Sequence, residues 1–545
     1  MAEHVGDFSS DSGSDGGSTS NHGGHEITDK DVEFWKKVKK ELKKKWARRS
    51  VEHPCADLLE TERRLDVYDT CTDSDNFCDD FSDELNDGLK QESDSERSRD
   101  ASSKFSREGS SRDEVLDAFQ AKVKRLKYLR RRIDWNVKKS RREIYRLLDH
   151  SITDWQGRLP SLRDIFEDEE IERLMFDRGD DEPGQVPVRK FIEFAISTGY
   201  KDEPKLDEAT GKPLLRRATP IHRAARLRYP RAVVELFKIY DRYDVNYSDE
   251  AGLTHFHLAC ACGCRDVVEK FLLLGRADPN VAAKKGVSPL HLALAARRDE
   301  VAALLLRHGA DPNAANGDGS TALHEICRSY LDNGFVELFF RINDEKHRRV
   351  QIDAKDKRGR SPLQLAVANL QSKTVDVLLD RGADLSSFVF PTEDYFAKGF
   401  DTDDFALKSV SRTLSIVGSL ERKGYKLKPS DALTIIKFFY EHGLFRPDFE
   451  LDAYLRYHKR FVKAAKKSRF APGLSLHDLL RLPLDEAEKV LEAADYSRFD
   501  DLTEDWRTLL RDHVPCTLYL CEIMTSGFVQ RWPREFYRYI FLNKK

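Results

Sequence analysis

Along residues 219 to 386, hydrophobic and polar positions follow one pattern that occurs five times. Thr219-Pro220-Ile221-His222-Arg223-Ala224 comes back as Thr254-His255-Phe256-His257-Leu258-Ala259 and as Ser288-Pro289-Leu290-His291-Leu292-Ala293. Thr321-Ala322-Leu323-His324 and Ser361-Pro362-Leu363-Gln364-Leu365-Ala366 complete the set, at steps of 35, 34, 33 and 40 residues. Each unit continues into a second apolar helix, such as Val301-Leu304-Leu305-Leu306, and ends in a turn signal such as Gly309-Ala310-Asp311-Pro312-Asn313. Upstream, Trp35, Val38, Leu42 and Trp46 draw one apolar stripe on a helix. Leu116 to Leu148 keeps helical spacing with a gap at Ser140, and a second helix over Ser161–Phe176 begins at a Ser161 cap. Leu433–Leu444 reads as one helix of a degenerate last unit or of another helical domain.

A period near 33 residues must be interpreted before anything else. The five units resemble the ankyrin repeat. The residue choices have physical reasons: Ser or Thr caps the first helix, and Pro in its first turn presets φ without needing a donor. The Gly of Gly-Ala-Asp supplies a left-handed helix end. One helix pair cannot bury its apolar face alone, so stability comes from stacked neighbours. The glycine between the two helices stands at Gly263, but Arg228, Arg297 and Leu370 take its place elsewhere, predicting local strain or a shifted helix end. The fold class expected is therefore all-α: an ankyrin-repeat solenoid of helix pairs with hairpin turns, flanked by a disordered N-terminal region and a helical C-terminal region.

Charge changes the picture upstream. The chain carries 92 Lys+Arg and 95 Asp+Glu in 545 residues, a net charge of −3 that hides segregated blocks. Nine basic residues lie between Lys36 and Arg49, ten acidic ones between Asp73 and Glu96, and twelve basic ones between Lys122 and Arg146. The expected organisation is 1–30 disordered, 31–49 a basic amphipathic helix, 50–112 an acidic and Ser/Arg-rich linker, and 113–185 a basic helical region. A capping half-repeat follows over 186–218, then the repeats over 219–386, a degenerate repeat or helical linker over 387–470, and a helical region over 471–545. Hydrophobic residues make up 40% and mean hydropathy is −0.61, low for a compact enzyme of this size. With no apolar run of 18 residues and no apolar leader in Met1–Gly24, an intracellular location is expected, cytoplasmic, with Lys36–Arg49 open as a nuclear import signal. An anionic-membrane helix or a partner of the acidic block are its alternatives.

Candidate chemistry is sparse. His222, His257, His291 and His324 hold equivalent places in stacked units about 8–10 Å apart, too far to share one metal with bonds near ~2.1 Å. They read as histidines bonding the neighbouring turn, and Thr219, Thr254, Ser288, Thr321 and Ser361 as their cap partners. Cys260, Cys262 and Cys264 read first as core packing, with metal or redox chemistry as the alternative. Asp311–Ser320 echoes a calcium loop, yet Ala322 stands where the last carboxylate belongs. No phosphate loop, nucleophile elbow or metalloprotease motif occurs, and no cofactor is expected.

A closer likeness follows from Gly199-Tyr200-Lys201-Asp202-Glu203-Pro204, Asn343-Asp344-Glu345-Lys346-His347 and Ser475-Leu476-His477-Asp478-Leu479-Leu480. Over residues 113 to 540 the chain resembles an expanded insect ankyrin-protein family whose members commonly end in a PRANC module. That resemblance implies a Skp-type adaptor of cullin ubiquitin ligases as partner. Phe528–Phe541 is similar to the beginning of the module, while its F-box-like helix pair is not found before Lys545, so the module is read as truncated. The leading expectation is a non-enzymatic protein-binding scaffold with an unidentified protein partner; a ubiquitin-ligase substrate receptor is the alternative. Nucleic-acid or membrane binding by the basic helices is the less favoured third class. Hairpin-tip candidates are Asp249, Glu250, Lys284, Lys285, Asp318, Lys355, Lys357, Arg358 and Arg360, with Arg297 and Arg298 near the groove.

Overall fold

The computed structural model describes residues 110–135, 147–148, 151–153, 155, 157–176, 188–275, 277–329, 334–397, 406–442, 451–471, 473–483, 486, 509–511, 513–537 and 539. All of these fall in one compact unit, 78–446 with 451–545. The segments 1–30 and 31–49 and the acidic block lie outside the described residues.

The five repeated units form five helix pairs. The first helices are α4 (Pro220–Arg226), α6 (His255–Cys262), α8 (Pro289–Ala295), α10 (Ala322–Arg328) and α12 (Pro362–Ala368). The second helices are α5 (Pro230–Leu236), α7 (Arg265–Leu273), α9 (Asp299–Arg307), α11 (Phe335–Glu345) and α13 (Ser372–Asp380). The first helices pack side by side as an inner layer, and α7, α9, α11 and α13 stack successively as an outer layer. Between the layers lie the apolar residues of the motif, including Ile221, Phe256, Leu290, Leu323 and Leu363, all essentially excluded from water. This burial is the main favourable term, worth about 1.5–3 kcal/mol for each such side chain.

In the four units whose joint lies among the described residues, a left-handed residue stands nine positions after the cap. Gly263 adopts it at φ 79°, while Arg228, Arg297 and Leu370 adopt it at 59°, 58° and 52°. A non-glycine residue there costs roughly 1–2 kcal/mol. Leu370 offsets that cost by complete burial. Gly263 is required for a second reason: a Cβ there would lie 2.7 Å from Arg298 Cδ. The outer helices α9 and α13 end on Gly309 (φ 99°) and Gly382 (φ 89°), as their Gly-Ala-Asp signals predict.

Upstream, three expectations are corrected. Helix α1 (Ser110–Arg132) starts inside the expected linker and stops well before Leu148, with Ile133 closing it through a bond to Arg130 O. The Ser161–Phe176 segment is not one helix: a 3₁₀ turn (Leu162–Asp164) precedes α2 (Asp168–Phe176). Ser161 makes no side-chain cap bond; Glu170 Oε2 instead accepts from Glu167 N at 2.8 Å at the start of α2. Helix α2 buries Ile171, Leu174 and Met175, packs on α4, and pairs with α3 (Val188–Ser197), which packs on α5. The segment before the array is thus a whole helix pair, not a half.

Downstream, α14 (Ala406–Arg422) covers α13, and α19 (Val514–Arg531) packs in turn on α14. Helices α15 (Pro429–Glu441), α16 (Leu451–Tyr457), α17 (Lys459–Lys467), α18 (Leu476–Arg481) and α20 (Pro533–Tyr537) complete this end. An antiparallel hairpin of β1 (Arg469–Ala471) and β2 (Leu474–Ser475), unforeseen in an all-helical reading, leads directly into α18.

Candidate protein-binding surface

A side-chain bracket holds each unit to the next. In the first four units the cap residue's own N–H donates to histidine Nδ1: Thr219 to His222 (3.1 Å), Thr254 to His257 (3.2 Å), Ser288 to His291 (3.3 Å) and Thr321 to His324 (3.1 Å). The other ring nitrogen, Nε2, faces a backbone carbonyl of the following hairpin: Leu253 (2.9 Å), Val281 (3.2 Å), Ser320 (2.9 Å) and Arg360 (3.1 Å). A backbone N–H can only donate and a carbonyl only accept, so the ring must be neutral with its proton on Nε2. Burial pushes His222 and His324 below the ordinary imidazole value and His257 to about 4. In the fifth unit Gln364 does the same job, its Oε1 accepting from Ser361 N (3.0 Å) and its Nε2 donating to Val389 O (2.7 Å).

The brackets position a row of hairpin tips. Each tip is a four-residue turn closed by an N–H from its glycine: Gly252 to Asp249 O, Gly286 to Ala283 O, Gly319 to Asn316 O, Gly359 to Asp356 O. All four glycines have φ between 66° and 75°. Neighbouring tips are joined through backbone bonds, Lys284 N to Ala251 O (2.9 Å), Gly317 N to Lys285 O, and Lys357 N to Asp318 O (2.9 Å). The second set of turns is tied the same way: Asn280 donates to Gly309 O and accepts from Asp311 N, and Asn313 donates to Arg349 O and accepts from Gln351 N.

Of the tip candidates, Glu250, Lys284, Lys285, Asp318, Lys355, Lys357 and Arg358 are exposed. Two are turned inward and are corrected. Asp249 is buried, and its Oδ1 accepts from Ala251 N (2.9 Å) and Leu253 N (3.0 Å), so it builds its turn. Arg360 is half-buried in a two-bond clamp on Asp356 Oδ2, at 2.9 and 2.7 Å, within its own turn. Arg297 is exposed, whereas Arg298 is half-buried, lying over Gly263 with Nε directed at Ala261 O (3.4 Å). On the free side of the inner layer stand Arg223, Arg226, Ala295 and Arg328, all exposed, none of them foreseen apart from the motif itself. The signal was available: four and seven places after the cap, a motif helix turns away from the outer layer.

A second missed cluster locks α2 to the array. Arg217 bridges Glu172 Oε1 and Asp202 Oδ1, both at 2.8 Å, while the hydroxyls of Tyr240 and Tyr247 donate to Glu172 (2.8 Å) and Asp202 (2.7 Å). Burial pushes both carboxyls up. It also works against the Arg217 charge, yet Glu172 and Asp202 hold that guanidinium above its ordinary value. Removing one member of this half-buried set leaves charged partners unpaired, at a cost of about 2–3 kcal/mol. His255 lies beside it, fully buried, with Nε2 2.7 Å from Thr219 Oγ1 and the ring edge-on to Phe237, Tyr240 and Tyr247.

Cys260 and Cys264 are buried and Cys262 is half-buried, and burial pushes all three thiols up, that of Cys264 to about 12. Thiols so shifted stay protonated at neutral pH. Among the described residues no three of His, Cys, Asp and Glu gather as a metal-binding group. The Asp311–Ser320 segment is the turn and hairpin of the array, its Asn316 Oδ1 taken by Asp318 N and Ser320 N. Among the described residues no helix is long and apolar enough to cross a membrane.

None of the curated proteins matches this chain. Residues 221–316 match the family model described as ankyrin repeats (3 copies), and the same bracket and hairpin continue beyond them through His324 and Gln364. The chain therefore carries ankyrin repeats, a protein–protein interaction module.

Proposed function

We propose that this protein is a non-enzymatic scaffold that captures a partner protein on its hairpin tips and on the free face of its inner helices. The observation carrying this reading is the continuous, backbone-linked row of tips whose exposed charges, Glu250, Lys284, Lys285, Asp318, Lys357 and Arg358, make no ion pair among the described residues. Charges held in register by a rigid scaffold give a partner specificity and orientation. Affinity purification of the full chain from native cells, followed by mass spectrometry, identifies the partner. Simultaneous reversal of Lys355, Lys357 and Arg358 to Glu should then weaken its capture. Unchanged capture removes this face.

A second reading concerns the C-terminal helices. Tyr457 at the end of α16 is 86% exposed and Val514 at the start of α19 is 56% exposed, large side chains left uncovered among the described residues. Together with the PRANC-like segments 475–487 and 528–541 of the insect family, they support recruitment of a Skp-type ubiquitin-ligase adaptor. The adaptor should co-purify with the full chain and be lost on deleting 471–545; its absence from the full-chain preparation ends this reading.

A further inference from the structure

Resting on the scaffold reading above, the charge order of the tips narrows the chemistry of the partner. At the two outermost positions of each turn stand Glu250-Ala251, then Lys284-Lys285, then Gly317-Asp318, then Lys357-Arg358. The row therefore reads acidic, basic, acidic, basic. Its order is rigid, because backbone bonds tie each tip to the next and a left-handed glycine closes each turn.

Each hairpin is two strands wide at about 5 Å per strand, so successive tips stand about 10 Å apart and the two basic tips about 20 Å apart. An extended chain advances about 3.3 Å per residue and covers that span in about six residues. Alternate side chains of such a chain face the same way, so residues i, i+4 and i+6 all present to the row. We propose that the tip row binds an extended segment of a partner protein that carries two acidic pairs about six residues apart, with a single Lys or Arg between them facing Asp318. The member of each acidic pair that faces the row, at i and i+6, meets Lys284-Lys285 and Lys357-Arg358, and its neighbour keeps that charge in place for either facing of the segment. The interposed Asp318 and the flanking Glu250 act against a uniform polyanion such as nucleic acid, whose evenly spaced phosphates would be set against both carboxylates. Like charges placed opposite one another are strongly penalised at an interface.

The test uses the full chain and a labelled peptide, Glu-Glu-Ser-Ser-Lys-Ser-Glu-Glu, read by fluorescence anisotropy. Binding should weaken at least roughly tenfold in the Lys284→Glu/Lys285→Glu variant and again in the Lys357→Glu/Arg358→Glu variant. It should largely vanish near about 0.5 M salt, where screening is strong. Thermal unfolding of both variants verifies that they remain folded, since all four side chains are exposed. A peptide of the same composition in scrambled order should bind roughly tenfold less well. Asp318→Lys should weaken the patterned peptide and strengthen one in which its Lys is Glu. Equal binding of patterned and scrambled peptides overturns the proposal, as does tighter binding of a single-stranded oligonucleotide than of the patterned peptide. Binding that appears only after the ten acids between Asp73 and Glu96 are changed to their amides also overturns it, and makes the chain's own acidic block the occupant. If the natural partner still depends on Lys355, Lys357 and Arg358 while the patterned peptide does not bind, the scaffold reading stands and this inference falls.

Discussion

The first four repeats and the fifth solve one problem with different chemistry. Each must satisfy a cap N–H on one side and a carbonyl of the next hairpin on the other, across a buried junction. His222, His257, His291 and His324 do so with a neutral ring; Gln364 does so with an amide at similar distances. The geometry asks only for one acceptor and one donor on a short arm, which both side chains offer. The difference is that protonating the ring turns its acceptor into a second donor, pointed at a backbone N–H. An amide has no such state. Unit-to-unit stacking is therefore acid-sensitive at His222, His257 and His324, where burial lowers the imidazole pKa, and acid-tolerant in the fifth unit.

The largest effect that bears on this contrast is acidification. In the folded chain the pKa of His257 is about 4, and those of His222, His255 and His324 are also lowered by burial. The unfolded chain, with values near ~6.5, binds more protons between that value and the folded ones, so stability falls as pH falls through that window. His257 alone contributes a loss of roughly 3 kcal/mol by about pH 4. Denaturant melts between pH 7 and 4.5 should show it, and His257→Gln should flatten the slope; an unchanged slope refutes the assignment. Next in size, His257→Ala should cost about 3 kcal/mol at neutral pH, through a cavity and two unpaired backbone groups, and Gln364→Ala a comparable amount. A loss below about 1 kcal/mol for either would show that the bracket is not what holds the units together.

At the helix joints, Gly263→Ala should destabilise by about 2 kcal/mol, from a left-handed non-glycine residue and from contact with the Arg298 stem. Adding Arg298→Ala should return the steric part only. The converse change, Arg297→Gly, removes strain at φ 58° and should stabilise by up to about 1 kcal/mol in equilibrium unfolding. The smallest effect belongs to Gln364→His, expected to change neutral-pH stability by less than about 1 kcal/mol while adding one more acid-sensitive junction. If that variant melts with the wild-type pH profile, the comparison between units fails.

Much of the array was legible because its determinants are local. A Ser or Thr cap, a Pro in the first turn of three units and a His, or Gln364 in the fifth, three places on specify a helix start within six residues, and five copies at similar steps specify stacking. The candidate surface was legible only in part. Glu250 and Asp249 are adjacent acidic residues of one tip, yet one is exposed and the other is consumed by Ala251 and Leu253 N–H groups. Inference from charge alone also fails at Arg360, whose guanidinium is held by two bonds to Asp356 within the turn. Helix α2 was assigned to a separate basic region because its own motif is absent; only its packing on α4 and α3 makes it part of the array.

Read alone, the chain specifies the repeat, the bracket residues and the order of charges along the tips, since each follows from chemistry within a few neighbouring positions. Packing in three dimensions settled which charges remain free and where the array begins. It brought Arg217 to both Glu172 and Asp202, and it laid Arg298 over Gly263. It also left Arg223 and Arg328 exposed on the inner face. These outcomes depend on what each residue meets across a packed interface, and residues from different units meet only once those units are stacked.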